Sequence, residues 1–230
     1  MSDWHTATVT ARTPAADGLT DWVLDIAGTP LVGSHAHPGQ YVQLRLPGGQ
    51  PGMFAIASPP APNGTRWEFL LKDDGTLPST LLHLPLGAHV EVTRPAGRGF
   101  PMEKARGRDL LLFASGSGIS AIRPVIAAVR QERGAYGRVT LYFGARTAGG
   151  FAYQHELQQW LEDGVRVLCT VSRPGASGWQ GLTGYVQAHL GEEPLEHAIA
   201  FVCGPSDMVQ DVMAQLAQRG VPRSAVFLNY

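Results

Sequence analysis

Apolar and polar positions alternate in short runs over the first hundred residues, with β-favouring side chains at Thr6–Arg12, Thr20–Ile26, Gln40–Leu46, Trp67–Lys72 and His89–Pro95. A period of two over such lengths predicts strands with one buried face. Turn-forming residues separate them: Asp17-Gly18, Pro47-Gly48-Gly49, Pro62-Asn63-Gly64 and Asp74-Gly75. One short helix is predicted at Ser79–Leu84. Several short strands at this spacing predict a small antiparallel β-barrel.

The pattern changes near Arg106. Asp109–Ser115 is a continuous apolar run, as expected of a parallel strand buried on both faces. A helical period follows over Ile119–Glu132, with Ile122, Ile126 and Val129 on one face. Strands are then predicted at Arg138–Arg146, Val165–Ser172, Ala198–Gly204 and Ala225–Tyr230, with helices near Tyr153–Leu161, Tyr185–Leu190 and Ser206–Gln218. Such alternation predicts a doubly wound parallel sheet. The expected fold is an N-terminal antiparallel barrel (residues 1–104) followed by a C-terminal α/β domain (105–230), with the boundary between Phe100 and Arg108.

Composition narrows the function. A formal net charge of -1 supplies no electrostatic case for nucleic acid or an anionic membrane. No apolar run approaches the length of a membrane span. The first residues lack a basic segment followed by an apolar one, so no signal peptide is expected and the expected location is cytoplasmic. Cys169 and Cys203 are the two cysteines, too few for a disulfide framework or an iron–sulfur cluster. His35 and His37 do not have the spacing of a metal site, and none is expected.

Two strand-to-helix turns carry the candidate chemistry. In Phe113–Ile126, Gly116-Ser117-Gly118 leads straight from a buried strand into a helix. Small residues allow close backbone approach to a phosphate, and the free amides of the helix favour negative charge. The spacing is not the GxGxxG of dehydrogenases. In Phe201–Met213, a strand ends at Cys203-Gly204-Pro205, and Ser206 is placed to cap the next helix. Ligands of open parallel sheets bind outside the carboxyl ends of strands, where both turns would lie.

The order Pro38–Val42, Ile56–Pro60, a Gly-and-Ser turn, Gly116–Pro124, Tyr142–Arg146 and Cys203–Met208 resembles the ferredoxin–NADP reductase superfamily from about Pro38 to Tyr230. The resemblance implies an FAD-holding barrel, an NAD(P)H-binding second domain, and electrons passed on to an acceptor: a partner protein, a quinone or a small oxidant. It further implies that Phe54, Ala55, Ile56, Ala57 and Ser58, with Leu71 and Lys72, hold the isoalloxazine. Gly75, Thr76, Ser79 and Thr80 would hold the FAD pyrophosphate. Gly116, Ser117, Gly118 and Ile119 would lie under the nicotinamide nucleotide, with Arg146, Ser172 and Arg173 on its adenosine side. Cys203, Gly204, Pro205 and Met208 match the nicotinamide-side motif, Cys203 as a positioning residue. Tyr230 matches a terminal aromatic that stacks on flavin in some members.

One departure stands out. The family's Arg-x-Tyr-Ser is replaced by Gly52-Met53-Phe54-Ala55. A lost Arg–phosphate bond of roughly 1.5–3 kcal/mol corresponds to about ten- to a hundredfold in affinity. Arg66, Arg94 and Arg98 are candidate substitutes. The departure also motivates a second reading, a nucleotide-binding or electron-transfer subunit that has lost tight FAD binding. The gamma-type hydrogenase subunits that share the resemblance usually carry a cysteine-rich tail. The choice between NADH and NADPH stays open.

Overall fold

The computed structural model describes residues 3–175 and 178–229. Strands β1 (Trp4–Ala16), β2 (Leu19–Asp25), β3 (Tyr41–Arg45), β4 (Gly52–Ala55), β5 (Arg66–Lys72) and β6 (His89–Thr93) form one antiparallel sheet in the order β4-β3-β6-β1-β2-β5. Just past β4 the chain turns back onto β5. The Ala57 amide donates to the Glu68 carbonyl at 2.7 Å, and the Glu68 amide donates to Ser58 Oγ at 3.1 Å, joining the two edges into a barrel. Val9, Trp22, Leu24, Val42, Leu44, Phe69, Val90 and Val92 fill its interior.

The expected alternation is visible in β2, where Leu19, Trp22 and Leu24 are buried between partly exposed neighbours. β4 escaped the periodic reading because it is only four residues long and carries a glycine. The helix of the barrel, α1, spans Leu77–Leu82 rather than Ser79–Leu84. It starts early because Pro78, lacking an amide hydrogen, fits its first turn.

After a one-turn helix α2 (Met102–Ala105), six parallel strands form the second sheet: β7 (Leu110–Ser115), β8 (Val139–Ala145), β9 (Val165–Val171), β10 (Leu182–Thr183), β11 (Ile199–Cys203) and β12 (Val226–Leu228). Their order is β10-β9-β8-β7-β11-β12, so the chain reverses direction across the sheet at β7. Helices α3 (Ile119–Gln131), α4 (Gln154–Glu162) and α5 (Ser206–Gln218) connect them. The helix expected at Tyr185–Leu190 is instead a single 3₁₀ turn, Val186–His189, closed by Leu190 in an extended conformation. Phe100, in the connection between the sheets, stacks on Phe201 of β11 with centroids 4.7 Å apart. None of the helices formed by the described residues is long and apolar enough to cross a membrane.

Candidate functional site

The reversal at β7 places the ends of β7 and β11 side by side, with Ala114 paired to Cys203. Both helices that leave these ends point their amino termini at the same crevice. The contact is closer than a side chain permits: a Cβ on Gly118 would lie 2.3 Å from the Cys203 carbonyl oxygen and 2.8 Å from its carbon. Gly116 adopts φ +53 and has open space above it. Neither α3 nor α5 has a side-chain cap, and the first turn of α3 contains no acidic residue. Ser206 is not the cap expected. Extended Pro205 (φ -56, ψ 150) takes that position, and Ser206 becomes the first helical residue.

Across the crevice stands the barrel. A cleft of about 700 Å³ runs between the two sheets, with Phe54, Ala55, Leu70, Leu71 and Lys72 on one wall. Ser115, Gly116, Ser117, Gly118, Arg146, Cys203, Gly204 and Pro205 form the other. The β1–β2 hairpin tip spans one end: the Asp17 amide donates to the Gly149 carbonyl at 2.9 Å, and Thr147 Oγ1 donates to Asp17 Oδ2 at 3.1 Å. A second cleft of about 460 Å³ continues from the shared residues Ser115, Ala145, Arg146 and Pro205. Ser172, Arg173, Tyr185, Met208 and Asp211 line it.

The residues singled out from sequence therefore divide. Phe54, Ala55, Leu71, Lys72, Gly116, Ser117, Gly118, Arg146, Cys203, Gly204 and Pro205 meet at the larger cleft, and Ser172, Arg173 and Met208 at the smaller. Ile56, Ala57 and Ser58 are buried in the barrel closure, and Ile119 is buried beneath the turn. Gly75, Thr76, Ser79 and Thr80 line neither cleft. Arg66, Arg94 and Arg98, the candidate replacements for the missing Arg, line neither cleft as well. Tyr230 lies outside the described residues.

Burial pushes the Cys203 thiol up to about 12 and that of Cys169 to about 11, so both are neutral at physiological pH. Cys203 can fill and shape the cleft; it has no thiolate with which to attack. Trp179 stacks on Phe151, centroids 5.5 Å apart, and lines neither cleft, which makes it a packing residue of its loop.

Sequence reasoning missed the polar tie between the sheets. Arg123 of α3 pairs with Glu68 of β5 and, at 2.9 Å, with Glu156 of α4. It also donates to the Ala57 carbonyl at 3.3 Å and lies 4.7 Å from the Tyr153 ring centroid. Tyr153 has φ 61, a left-handed conformation that non-glycine residues seldom take. An arginine in the helix after the glycine turn was the available signal, but its partners are 55 and 33 residues away in sequence.

The walls can be tested against the groups that the resemblance implies. An apolar barrel face opposite an open glycine turn fits a flat ring system. In the loop between β5 and α1 three amides are taken by the loop's own side chains, while α1 starts without a side-chain cap. Ser79 Oγ accepts the amides of Asp74 (3.1 Å) and Gly75 (2.7 Å), and Asp74 Oδ1 accepts the amide of Thr76 (3.1 Å).

The sequence profile of the oxidoreductase NAD-binding domain family matches residues 112–214. The chain is 33% identical over 235 residues to fruit protein pKIWI502 of Actinidia deliciosa, covering 94% of this chain and 73% of the relative. It is 34% identical over 211 residues to ferredoxin–NADP reductase B of Sorangium cellulosum, covering 83% of each. The structure of a ferredoxin NADP⁺ reductase from Neisseria gonorrhoeae with bound FAD and NADP superposes with a TM-score of 0.79 at 16% identity, covering 99% of this chain and 98% of that one. With a barrel, a reversed parallel sheet and a shared cleft already in place, these likenesses show that the chain belongs to the ferredoxin–NADP reductase family.

Proposed function

We propose that this chain is a flavin-dependent oxidoreductase that passes hydride from NAD(P)H to FAD and electrons on to a separate acceptor. The observation that carries the reading is the contact of Gly118 with the Cys203 backbone, which puts two glycine-bearing strand ends on one rim facing Phe54, Ala55 and Leu71. FAD and NAD(P)H as cofactors agree with the family, and the Neisseria gonorrhoeae neighbour holds both FAD and NADP. In this reading residues 1–104 are the flavin half and 105–230 the nucleotide half.

Each wall has a physical task. Phe54, Ala55 and Leu71 offer apolar surface to a ring and keep water from its face. The uncapped amides at the start of α3 suit a dinucleotide phosphate. Arg146, Ser172 and Arg173 extend the binding surface into the smaller cleft, where an adenosine would lie. Cys203 and Gly204 set the floor between them, and the neutral thiol contributes volume rather than a proton. A bound flavin supplies the capacity to take two electrons at once and release them to an acceptor.

The acceptor class stays as wide as the sequence left it: a partner protein, a quinone or a small oxidant. Oxidation of NADH and NADPH with ferricyanide, in the presence of added FAD, tests the assignment. Turnover that depends on flavin supports it. Nucleotide binding without turnover favours the second reading, a subunit that no longer binds FAD tightly, which the Gly52–Ala55 replacement motivates.

A further inference from the structure

Arg146 lines both clefts, and its guanidinium is exposed and has no protein partner among the described residues. Where that cation stands is therefore decided by its backbone. On one side the backbone is fixed by the end of β9: the Arg173 amide donates to the Arg146 carbonyl at 2.8 Å, and the Ser172 amide to the Ala145 carbonyl at 3.0 Å. Beyond Arg146 comes a half-buried 3₁₀ turn, Ala148–Gly150. Phe151 anchors its far end, edge-on to Phe143 with centroids 5.1 Å apart and stacked on Trp179.

Between these anchors the hold on the loop comes from the barrel. Asp17, at the β1–β2 tip, gives its amide to the Gly149 carbonyl at 2.9 Å and accepts the Thr147 hydroxyl at 3.1 Å. A Cβ on Gly149 would lie 2.3 Å from Asp17 Oδ2 and 2.7 Å from its Cγ, so this approach needs a glycine. The tip is itself secured from behind, since the Asp73 amide donates to the Gly18 carbonyl at 3.1 Å just past β5. A line of hydrogen bonds thus runs from the end of the strand that carries Leu71 and Lys72, through Gly18 and Asp17, to the loop that carries Arg146. The two sheets have other ties, Arg123 with Glu68 and Phe100 with Phe201, so the clasp at Asp17 is not what joins them.

Resting on the reading above, we propose that Asp17 is a positioning residue for NAD(P)H, a side chain of the flavin half that sets, through Thr147 and Gly149, where Arg146 meets the nucleotide. Charge alone predicts the opposite effect. A carboxylate at the edge of a phosphate site repels its ligand, weakly where the charge is exposed and screened. Truncating Asp17 therefore separates the two roles by sign: loss of the clasp weakens binding, and loss of the charge tightens it.

Calorimetric titration of the full chain with NADH, and separately with NADPH, is the test. Asp17→Ala is expected to weaken binding about three- to tenfold, the worth of a hydrogen bond. Asp17→Asn keeps an oxygen for the Thr147 hydroxyl and is expected to stay within about twofold of the parent chain. Introduced into an Arg146→Ala chain, Asp17→Ala should add no further loss, because the side chain it acts through is gone. A full additive loss in that chain, an unchanged affinity for Asp17→Ala alone, or a tighter one overturns the inference and leaves the proposed function standing. A parent chain that binds neither nucleotide overturns both. Should Asp17→Ala misfold, Thr147→Val, which removes the donated hydroxyl at nearly constant volume, is read in its place with the same expectations.

Discussion

Arg123 on α3 donates to the Glu68 carboxylate on β5, joining the helix that leaves the glycine turn to the strand that backs the barrel wall. Glu156 takes the other side of the guanidinium, with both oxygens 2.9 Å from Nε. Arg123 is 19% exposed, so the pair is partly shielded from water and the two carboxylates depend on a shared cation.

Replacing Arg123 with Met keeps much of the volume and strands both carboxylates. Partial burial places the expected loss of stability at about 1–3 kcal/mol, below that of a fully buried pair. Glu68→Gln retains a hydrogen-bond acceptor and is expected to cost less, about 1 kcal/mol or under. Urea denaturation of the two variants checks the order; equal losses would show that the link to Glu68 carries the whole effect and that Glu156 and the Ala57 carbonyl add nothing.

Gly118→Ala tests the rim. The new methyl would overlap backbone atoms of Cys203, which cannot rotate away as a side chain can. Overpacking of this kind costs about 1–3 kcal/mol, and the two turns must separate. The apparent affinity for NAD(P)H is expected to fall about tenfold or more, measured by nucleotide titration. An unchanged affinity in a folded variant would remove the rim from the nucleotide site.

Cys203→Ala tests the role of the thiol. Because burial keeps it protonated, the substitution is expected to leave the shape of the pH–rate profile unaltered and to lower turnover by about tenfold at most. Loss of a limb of the profile would mean that the thiol ionises during the reaction.

His35 gives the stability a pH dependence. Its ring is buried, which lowers its value from 6.5 to about 4, and Nε2 lies 3.1 Å from the His37 carbonyl. The unfolded chain therefore takes up a proton below 6.5 while the folded chain does not until about 4. Stability from this residue is complete above 6.5 and is lost as the pH falls between those values. The slope of one proton is about 1.4 kcal/mol per pH unit. Subtracting the unfolding curves of His35→Asn from those of the parent chain should isolate that slope; a difference independent of pH would show that His35 is already solvated.

Much of the fold is written in local pattern. The period-two runs from Thr6 onward and the unbroken apolar segment at Leu110–Ser115 depend on how side chains alternate along a strand, which neighbouring residues decide among themselves. The short strand Gly52–Ala55 and the 3₁₀ turn at Val186–His189 lay below that resolution, since four residues carry too little periodicity to distinguish a strand from a turn. Phosphate-turn candidates at Gly75–Thr80 matched by residue type, yet which amides remain free depends on where Ser79 and Asp74 place their oxygens.

From the amino-acid order alone came two unlike halves, two glycine turns at strand ends, and the loss of an arginine at Gly52. Tertiary structure alone settled which of those turns touch, that Arg123 reaches Glu68, and that Asp17, Asp73 and Asp74 share a wall with Phe54. Hydrophobic period is a property of neighbours on one chain. A cleft belongs to residues brought together by strand order, and the reversal at β7 that opens this one is a relation among segments far apart in sequence.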